Sequence, residues 1–459
     1  MACFPVGNCG CVLADSRRGG EHSFNTAHLT VNPRMHQRAS QPFPTTSTGP
    51  HAASRRRFLR SSSLATLAAA LGGPIPFADK LAPGLFPDAL AQSVADLLPD
   101  KRGLRILGDR PVVAETPVTL LDDDLTPTER HFVRNNGHPP ERAAKRDLAG
   151  WSLTIDGEVE KPLKLTLADL QSQFPRVTRA LVIECAGNGR AAFNPPASGN
   201  QWTLGGVGCA SYTGVRLGDV LRRAGVKQSA VYLAYQSEDT HLSRAPGKHA
   251  ISRGVPIAKA LDEHTLLVWE MNGQPLPAVH GWPLRLVCPG WPASTSGKWL
   301  TRLWVRDREH DGEKMTGHSY RMPKFPVAPG TKVEAADMAI LEQLPVKSII
   351  TLPASGAEVP AAQSVLLRGH AWSGWGDVKA MHVSYDFGAT WMATKLAAPR
   401  NRYAWQRWSV DLKLPTKGYY EIWARATDEK GFQQPMLVPG WNPEGYCNNA
   451  MHRIALKAV

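Results

Sequence analysis

The sequence changes character at Pro326-Val327-Ala328-Pro329-Gly330. Before this segment, strand-like and helix-like patterns alternate from Trp151 onward, whereas after it short strand patterns follow one another with almost no helical period. A chain of 459 residues also exceeds the roughly 250–300 residues at which a single hydrophobic core stops growing. We therefore predict two folded domains, residues 92–329 and residues 330–459, with a boundary near Pro329.

The first domain has the pattern of a mixed α/β fold. Residues 217–224 are amphipathic with a helical period, and residues 166–170 resemble the capped start of another helix. Strand-like runs alternate with these helical segments, at residues 151–157, 180–184, 230–235, 266–270 and 283–289. We therefore expect a core built from sheets with a few helices.

The second domain has the pattern of a β-sandwich. Asp386-Phe387-Gly388 is a hairpin turn between two strand-like runs. Five such runs are separated by turns, at residues 365–371, 380–385, 390–396, 405–412 and 419–427. This spacing predicts an immunoglobulin-like sandwich. The fold class of the whole chain is then α+β.

The first 91 residues have the composition of a leader. Ser54-Arg55-Arg56-Arg57-Phe58-Leu59-Arg60 precedes the small apolar run at residues 61–73, and Ala89-Leu90-Ala91 is a small-residue cleavage site. Paired arginines before Phe-Leu are typical of a twin-arginine signal, so we expect export to the periplasm. The alternative is a basic surface turn before a short core helix. The apolar run is shorter than the ~20 residues of a spanning helix, so we expect no membrane span.

Charge and cysteine spacing narrow the classes of partner. The net charge is +13, but no run of Lys and Arg is interleaved with aromatic residues, so we expect an anionic small substrate and an acidic protein partner rather than a nucleic acid. The chain has no C-x-x-C-H sequence, which predicts that it carries no c-type haem of its own.

One cysteine lies in a context suited to metal binding. Glu184-Cys185-Ala186-Gly187-Asn188-Gly189-Arg190 places Cys185 at the end of a buried strand, in a Gly-rich turn, with Arg190 five positions on. A nearby cation and a metal ion would keep the sulfur deprotonated, and a soft thiolate is a suitable ligand for a higher-valent metal. From these residues alone, a buried structural cysteine in a tight turn is an equal alternative.

Four dispersed motifs, in order, resemble the sulfite oxidase family. The stretch 184–190 matches that family's E-C-A-G-N-x-R motif, and residues 132–140 resemble its F-V-R-N segment. Residues 271–277 lead to His280-Gly281-Trp282-Pro283 and then to Lys298-Trp299-Leu300 in the family's order. Residues 441–453 match the end of its dimerisation domain. The resemblance implies a molybdopterin-binding α/β domain, followed by an immunoglobulin-like dimerisation domain, and a homodimer.

The resemblance also implies a set of site residues. Cys185 would bind molybdenum, Arg134 and Arg190 would flank the substrate anion, and Tyr320 would be the tyrosine of the substrate pocket. A packing tyrosine in a linker is the alternative for Tyr320. The cofactor would be molybdenum-molybdopterin, held by Phe132, Val133, Asn135, Asn136, Asp239, His280, Arg285, Ser296, Gly297 and Lys298.

The activity that the resemblance implies is oxidation of sulfite to sulfate. No cytochrome b5-like segment is recognisable, so electrons are expected to pass to an external c-type cytochrome. Alternatives on the same fold are a sulfane-sulfur dehydrogenase subunit and a sulfoxide reductase, and an alternative of another class is a non-catalytic secreted scaffold. Glu444 departs from the family pattern, because animal and plant members have at this position an arginine that closes the sulfate pocket.

Overall fold

The computed structural model of this chain describes residues 98–459. The predicted leader and its twin-arginine signal, at residues 1–91, lie outside the described residues and stay predictions. Within residues 98–459, no helix is long and apolar enough to cross a membrane.

The part of the chain before the ribbon at residue 321 is dominated by three sheets. A small sheet has the order β1-β2-β3, a second has the order β11-β10-β7-β6 with β12 also paired to β10, and a third has the order β5-β4-β13-β8-β9. Pairing is antiparallel except between β4 and β13. The strands are β1 Arg105–Asp109, β2 Val112–Glu115, β3 Val133–Arg134, β4 Leu153–Gly157, β5 Leu163–Leu165, β6 Arg176–Glu184, β7 Val207–Arg216, β8 Tyr232–Ser237, β9 Gly254–Pro256, β10 Leu266–Met271, β11 Gln274–Pro275, β12 Arg285–Val287 and β13 Leu300–Arg306.

Helices are few and short. The predicted helix at residues 217–224 is confirmed, and its apolar face, including Val220 and Leu221, is buried in the main core. The predicted start at Thr166 is also confirmed, since Thr166 and Asp169 form a capping box. The helices are α1 Glu141–Lys145, α2 Leu167–Gln173, α3 Leu217–Ala224 and α4 Ile257–Ala260, with 3₁₀ turns at Val118–Leu120, Thr128–Arg130, Arg190–Ala192, Ala278–His280, Ala293–Thr295 and Ala335–Asp337.

The C-terminal part is the predicted sandwich. One sheet has the order β16-β18-β22-β21 and the other the order β17-β24-β23-β19-β20. Trp408 from the first sheet and Ile422 from the second belong to one buried core. The strands, with the ribbon β14-β15 before them, are β14 Arg321–Pro323, β15 Met338–Ile340, β16 Lys347–Leu352, β17 Ala357–Val359, β18 Ser364–Trp372, β19 Val378–Ser384, β20 Met392–Ala393, β21 Lys395–Leu396, β22 Gln406–Lys413, β23 Gly418–Asp428 and β24 His452–Ala458.

Two local features of the sandwich bear on the sequence predictions. The hairpin turn at residues 386–388 is confirmed, because β19 and β20 pair across it and Phe387 and Gly388 have φ of 57° and 84°. The single strand predicted at residues 390–396 is wrong, since β20 and β21 belong to different sheets.

The ribbon β14-β15 spans the predicted boundary near Pro329, and that boundary stays a prediction.

Buried polar contacts join the two parts of the fold. The Glu184 carboxylate, at the end of β6, accepts hydrogen bonds from Lys347 Nζ at 2.6 Å and from Trp372 Nε1 at 2.7 Å. The backbone N–H of Cys447 donates to the carbonyl of Ala186 at 3.0 Å. The turn that carries Cys185 is therefore supported from behind by the sandwich.

Candidate active site

The segments singled out in the sequence meet at one cavity. The strand end with Cys185, the segment around Arg134, the turn at His280 and the ribbon with Tyr320 all contribute to it. Its lining residues are His131, Phe132, Arg134, Asn136, Cys185, Ala186, His280, Arg285, Ala293, Ser294, Lys298 and Tyr320.

Local hydrogen bonds fix the turn that presents Cys185. The backbone N–H of Cys185 donates to Gly206 at 2.8 Å, and its carbonyl accepts from Asn188 at 2.9 Å. The Asn188 side chain donates to Glu184 at 3.0 Å. A side chain at position 187 would displace the Arg190 guanidinium from its present place. Cys185 is 7% exposed and lines the cavity, which is the position a metal ligand needs.

Lys298 draws three segments together. Its ammonium donates to the carbonyl of Arg134 at 3.1 Å, to the carbonyl of Val279 at 3.0 Å and to the Asn135 side chain. A side chain at Gly281 would overlap Lys298, and Gly281 has φ of 111°. The Gly of the His-Gly-Trp-Pro motif is thus required both by the backbone conformation and by this close approach.

A second lysine, Lys101, contacts both His131 and His280. Lys101 Nζ donates to the carbonyl of His131 at 2.9 Å and lies 2.5 Å from His280 Nε2. The Arg285 guanidinium donates to the carbonyl of His280 at 3.4 Å. Lys101, His280, Arg285 and Lys298 therefore share one buried region, although Lys101 lies far from the other three in the sequence.

Burial weakens proton binding by these basic groups. Burial, and then repulsion from Arg285, lowers the pKa of Lys298 well below its usual range. Burial lowers the pKa of Lys101 to about 7 and that of His131 to about 3. Burial also raises the pKa of Asp239 to about 6. A bound anion would relieve the repulsion among the cations.

A phosphorylated pterin fits this cluster. Arg285 Nε is buried and has no hydrogen-bond partner among residues 98–459. An unpaired donor on a buried cation is costly unless an anion accepts from it. Arginine offers a phosphate two parallel donors, and lysine adds a point charge. The chemistry of these donors therefore suits the phosphate of a pterin cofactor.

The protein ligands available to a metal also fit a molybdopterin cofactor. Residues 98–459 contain no group of three or more His, Cys, Asp or Glu side chains that could hold a metal ion by themselves. Cys185 would thus be the ligand from the protein, with the remaining ligands supplied by the cofactor. Cys209 and Cys288 are buried, and burial raises the pKa of each thiol to about 12, which makes both poor ligands.

The structure separates the three residues predicted to act on the substrate. Arg134 and Tyr320 line the cavity, but Arg190 does not. Arg190 donates instead to the backbone carbonyls of Glu444 at 2.7 Å and Asn200 at 2.9 Å. Two donors of Arg190 are thus used by backbone carbonyls, and its predicted role as a direct clamp on the substrate stays a prediction.

The cofactor residues predicted from the motifs also divide into two groups. Phe132, Asn136, His280, Arg285 and Lys298 line the cavity. The others lie behind it: Val133 is buried in β3, Asn135 accepts from Lys298, Ser296 accepts from the backbone of Cys288, Gly297 packs on Tyr235, and Asp239 interacts electrostatically with Lys298.

Sequence reasoning missed several residues of this region. His131 directly precedes the Phe-Val-Arg-Asn segment, so its position was a usable signal. Ala293 and Ser294 lie in the loop just before Lys298-Trp299-Leu300, which was a second signal, whereas Lys101 has no motif around it. Arg253, buried against Tyr320, likewise stands in no recognisable pattern.

Comparison with known proteins agrees with this geometry. Residues 139–314 match the oxidoreductase molybdopterin binding domain, and residues 338–459 match the Mo-co oxidoreductase dimerisation domain. Together with the cavity lined by basic side chains, these matches define a molybdopterin-dependent oxidoreductase. They contradict the alternative of a non-catalytic scaffold.

Individual relatives specify the family. The chain is 33% identical over 367 residues to sulfite oxidase from Gallus gallus, covering 77% of this chain and 78% of that protein. It is 33% identical to the mitochondrial sulfite oxidase of Rattus norvegicus, covering 78% of this chain and 66% of that protein. The sulfane dehydrogenase SoxCD from Paracoccus pantotrophus superposes with a TM-score of 0.63 at 26% identity, covering 83% of this chain and 92% of that chain. The chain belongs to the sulfite oxidase family.

Proposed function

We propose that this enzyme oxidises sulfite to sulfate at the cavity containing Cys185 and passes the electrons to a separate c-type cytochrome. The observation that carries the proposal is the meeting of one thiol, Arg134 and Tyr320 at a cavity whose buried charged groups are mainly cationic. Sulfite is a compact anion, and guanidinium groups supply charge-assisted hydrogen bonds to such oxyanions. The similarity to sulfite oxidases supports the same substrate.

The side chains would have separate tasks. When bound, the cofactor supplies the oxygen-atom transfer and accepts two electrons. Cys185 would hold the metal, while His280, Arg285 and Lys298 would bind the phosphate of the pterin. Arg134 would orient the substrate anion and partly neutralise it, and the Tyr320 hydroxyl would donate a hydrogen bond to one of its oxygens.

Substrate assays test this proposal. The purified enzyme should contain near-stoichiometric molybdenum and should reduce cytochrome c or ferricyanide with sulfite as the electron donor. Thiosulfate as donor, and methionine sulfoxide with a reduced dye, are the comparison reactions. Preference for either comparison substrate over sulfite would contradict the proposal.

A second candidate activity is oxidation of a sulfane sulfur. The similarity to the sulfane dehydrogenase, over 92% of that chain, favours it. A carrier protein with a cysteine persulfide would then be oxidised faster than free sulfite. The two candidate activities differ in the size of the substrate that the cavity must admit. The rates of oxidation of sulfite and of a persulfide carrier should therefore be compared at equal concentration.

We further propose that the enzyme is exported to the periplasm and acts as a homodimer joined through residues 330–459. The paired arginines at residues 55–57 support export, and the match to a dimerisation domain supports the dimer. Fractionation of cells that express the full chain, followed by N-terminal sequencing, tests export. A cytoplasmic product that retains residues 1–91 would contradict it.

A further inference from the structure

Two arginines and two tyrosines form a cluster behind the cavity. The Arg253 guanidinium carbon lies 4.6 Å from the ring centre of Tyr320. The rings of Tyr320 and Tyr446 are 5.5 Å apart with an interplanar angle of 6°, and the guanidinium of Arg190 lies 5.3 Å from the Tyr446 ring. We name these four residues the Arg–Tyr cluster. Of its members, Tyr320 lines the cavity.

The two arginines of the cluster differ in how their donors are used. Arg190 donates to two backbone carbonyls. It therefore holds these two backbone segments in place. Arg253 is 1% exposed, and its Nε and Nη2 have no hydrogen-bond partner within the part of the chain that the structure describes. Among residues 98–459 no carboxylate forms an ion pair with Arg253, and the groups that influence it electrostatically are tyrosines.

An anion that is not part of the chain would stabilise an arginine in such surroundings. A guanidinium stays protonated in proteins, and a buried charge without a counter-ion destabilises the fold. Aromatic rings compensate only part of the lost hydration. Because Arg253 packs on the ring of Tyr320 and Tyr320 lines the cavity, an anion bound in the cavity would supply negative charge close to Arg253.

We propose that Arg253 is a positioning residue of the substrate site: it holds the Tyr320 ring at the cavity and supplies a buried positive charge that strengthens binding of a compact sulfur oxyanion. This inference rests on the proposed function. It gives the anion a second cationic contribution besides Arg134, one that acts through Tyr320 rather than by direct contact.

The backbone of Tyr320 is held in a way that fits this role. Tyr320 has φ of 54°, a left-handed conformation that is uncommon for a bulky residue and is often found at functional sites. Its N–H donates to the Tyr446 hydroxyl at 3.2 Å. The sandwich therefore contributes Tyr446 to the wall of the substrate site, in addition to any part it plays in dimerisation.

Steady-state kinetics and product inhibition test the role of Arg253. We expect Arg253→Met, in molybdenum-loaded enzyme, to raise both the KM for sulfite and the inhibition constant for sulfate about tenfold, equal to about 1.4 kcal/mol. The kcat should change less than about threefold, since substrate and transition state carry similar charge. Arg253→Lys should restore part of the loss, because it keeps the charge without the planar fork. A merely structural residue would lower thermal stability and molybdenum content without this selective change.

A matched control is available in the sandwich. Arg425 also lies over an aromatic ring, 3.9 Å from the ring centre of Trp391, and its Nε also lacks a hydrogen-bond partner among the described residues. Arg425→Met should leave the KM for sulfite and the sulfate inhibition constant unchanged. Equal effects of the two substitutions would overturn the proposal.

A double-mutant cycle shows whether Arg253 acts through Tyr320. In a Tyr320→Ala background, which removes the ring, Arg253→Met should raise the KM less than about threefold, because the interaction between the guanidinium and the ring is already lost. Unchanged constants in Arg253→Met, or fully additive effects with Tyr320→Ala, would overturn the inference. If Arg253→Met does not fold, Arg253→Gln carries the same test because it also removes the charge, and wild-type constants in that variant overturn the inference.

Failure of the proposed function can be told apart from failure of this inference. If the loaded enzyme does not oxidise sulfite, the proposed function fails, and titration calorimetry with sulfate then compares wild type with Arg253→Met. Weaker sulfate binding by the variant supports the anion role of Arg253. Equal binding, or no binding by the wild type, overturns it.

Discussion

At Cys185 the fold presents a thiol to a cavity while its own backbone is held by Gly206 and Asn188. Because these contacts use backbone and neighbouring groups, the side chain can change without disturbing the turn. We predict that Cys185→Ser keeps the fold and loses turnover, since a hydroxyl is a poor substitute for a thiolate donor. Thermal unfolding and sulfite oxidation measure the two effects. Wild-type turnover in this variant would show that Cys185 is not the metal ligand.

The buried lysines make stability depend on pH. Burial lowers the pKa of Lys101 from 10.5 to about 7, and the pKa values of Lys298 and Lys314 shift in the same direction. Between these folded and unfolded values the unfolded chain binds more protons, so stability rises with pH. We predict that the melting temperature of the cofactor-free protein rises from pH 7 to about pH 8, below the pKa of about 8.5 of an unfolded thiol.

Cofactor loading and a substitution serve as controls for this pH effect. A bound phosphate would raise the pKa of each lysine, so the melting temperature of the loaded enzyme should depend less on pH in this range. Lys101→Met should reduce the rise seen in the cofactor-free protein. A melting temperature that falls with pH in the cofactor-free protein would contradict the assignment.

Among the elements, β6 connects the catalytic turn to the sandwich. Glu184 at its end is buried and pairs with Lys347 of β16 at 2.6 Å. Removing one partner of a buried pair leaves an uncompensated charge, which typically costs about 3–5 kcal/mol. We predict that Lys347→Met lowers the free energy of unfolding by about this amount, as measured by denaturant titration.

An exposed ion pair in the same sandwich provides the comparison. Lys457 and Glu358 also lie 2.6 Å apart, but their side chains are 65% and 60% exposed. Exposed pairs contribute about 0–1 kcal/mol, so Lys457→Met should change stability little. If the two substitutions have equal effects, Glu184 and Lys347 do not form the predicted link between the two parts of the fold.

For the whole molecule, the sandwich exposes apolar side chains that an interface could cover. Met436 and Leu437 are adjacent and are 46% and 65% exposed. Homodimers are usually joined by apolar surfaces related by two-fold symmetry. We predict a dimer by light scattering at micromolar concentration, and we predict that Leu437→Glu weakens it.

A substitution outside the sandwich serves as the control for the dimer. Leu148 is 43% exposed in the first part of the chain, and Leu148→Glu should leave the dimer intact. A monomeric wild type would contradict the dimer itself, whereas a dimer that is insensitive to Leu437→Glu would place the interface elsewhere.

Much of the local structure could be predicted from the sequence, because the signals are local. The capping box at Thr166, the helix at residues 217–224, the strand that ends at Cys185 and the turn at residues 386–388 all depend on neighbours within a few positions. The motifs around Cys185 and Lys298 also identified the family, because they bring together several dispersed signals in one order.

Only the tertiary structure decided which distant side chains share the site and which lie behind it. Lys101 reaches His280 across 179 positions, and Arg190 donates to the Glu444 carbonyl, 254 positions on. Periodicity and turn residues determine the elements, but they contain no information about such pairings. Burial, which shifts the pKa values and leaves Arg253 without a counter-ion, depends on the packing of all the elements together.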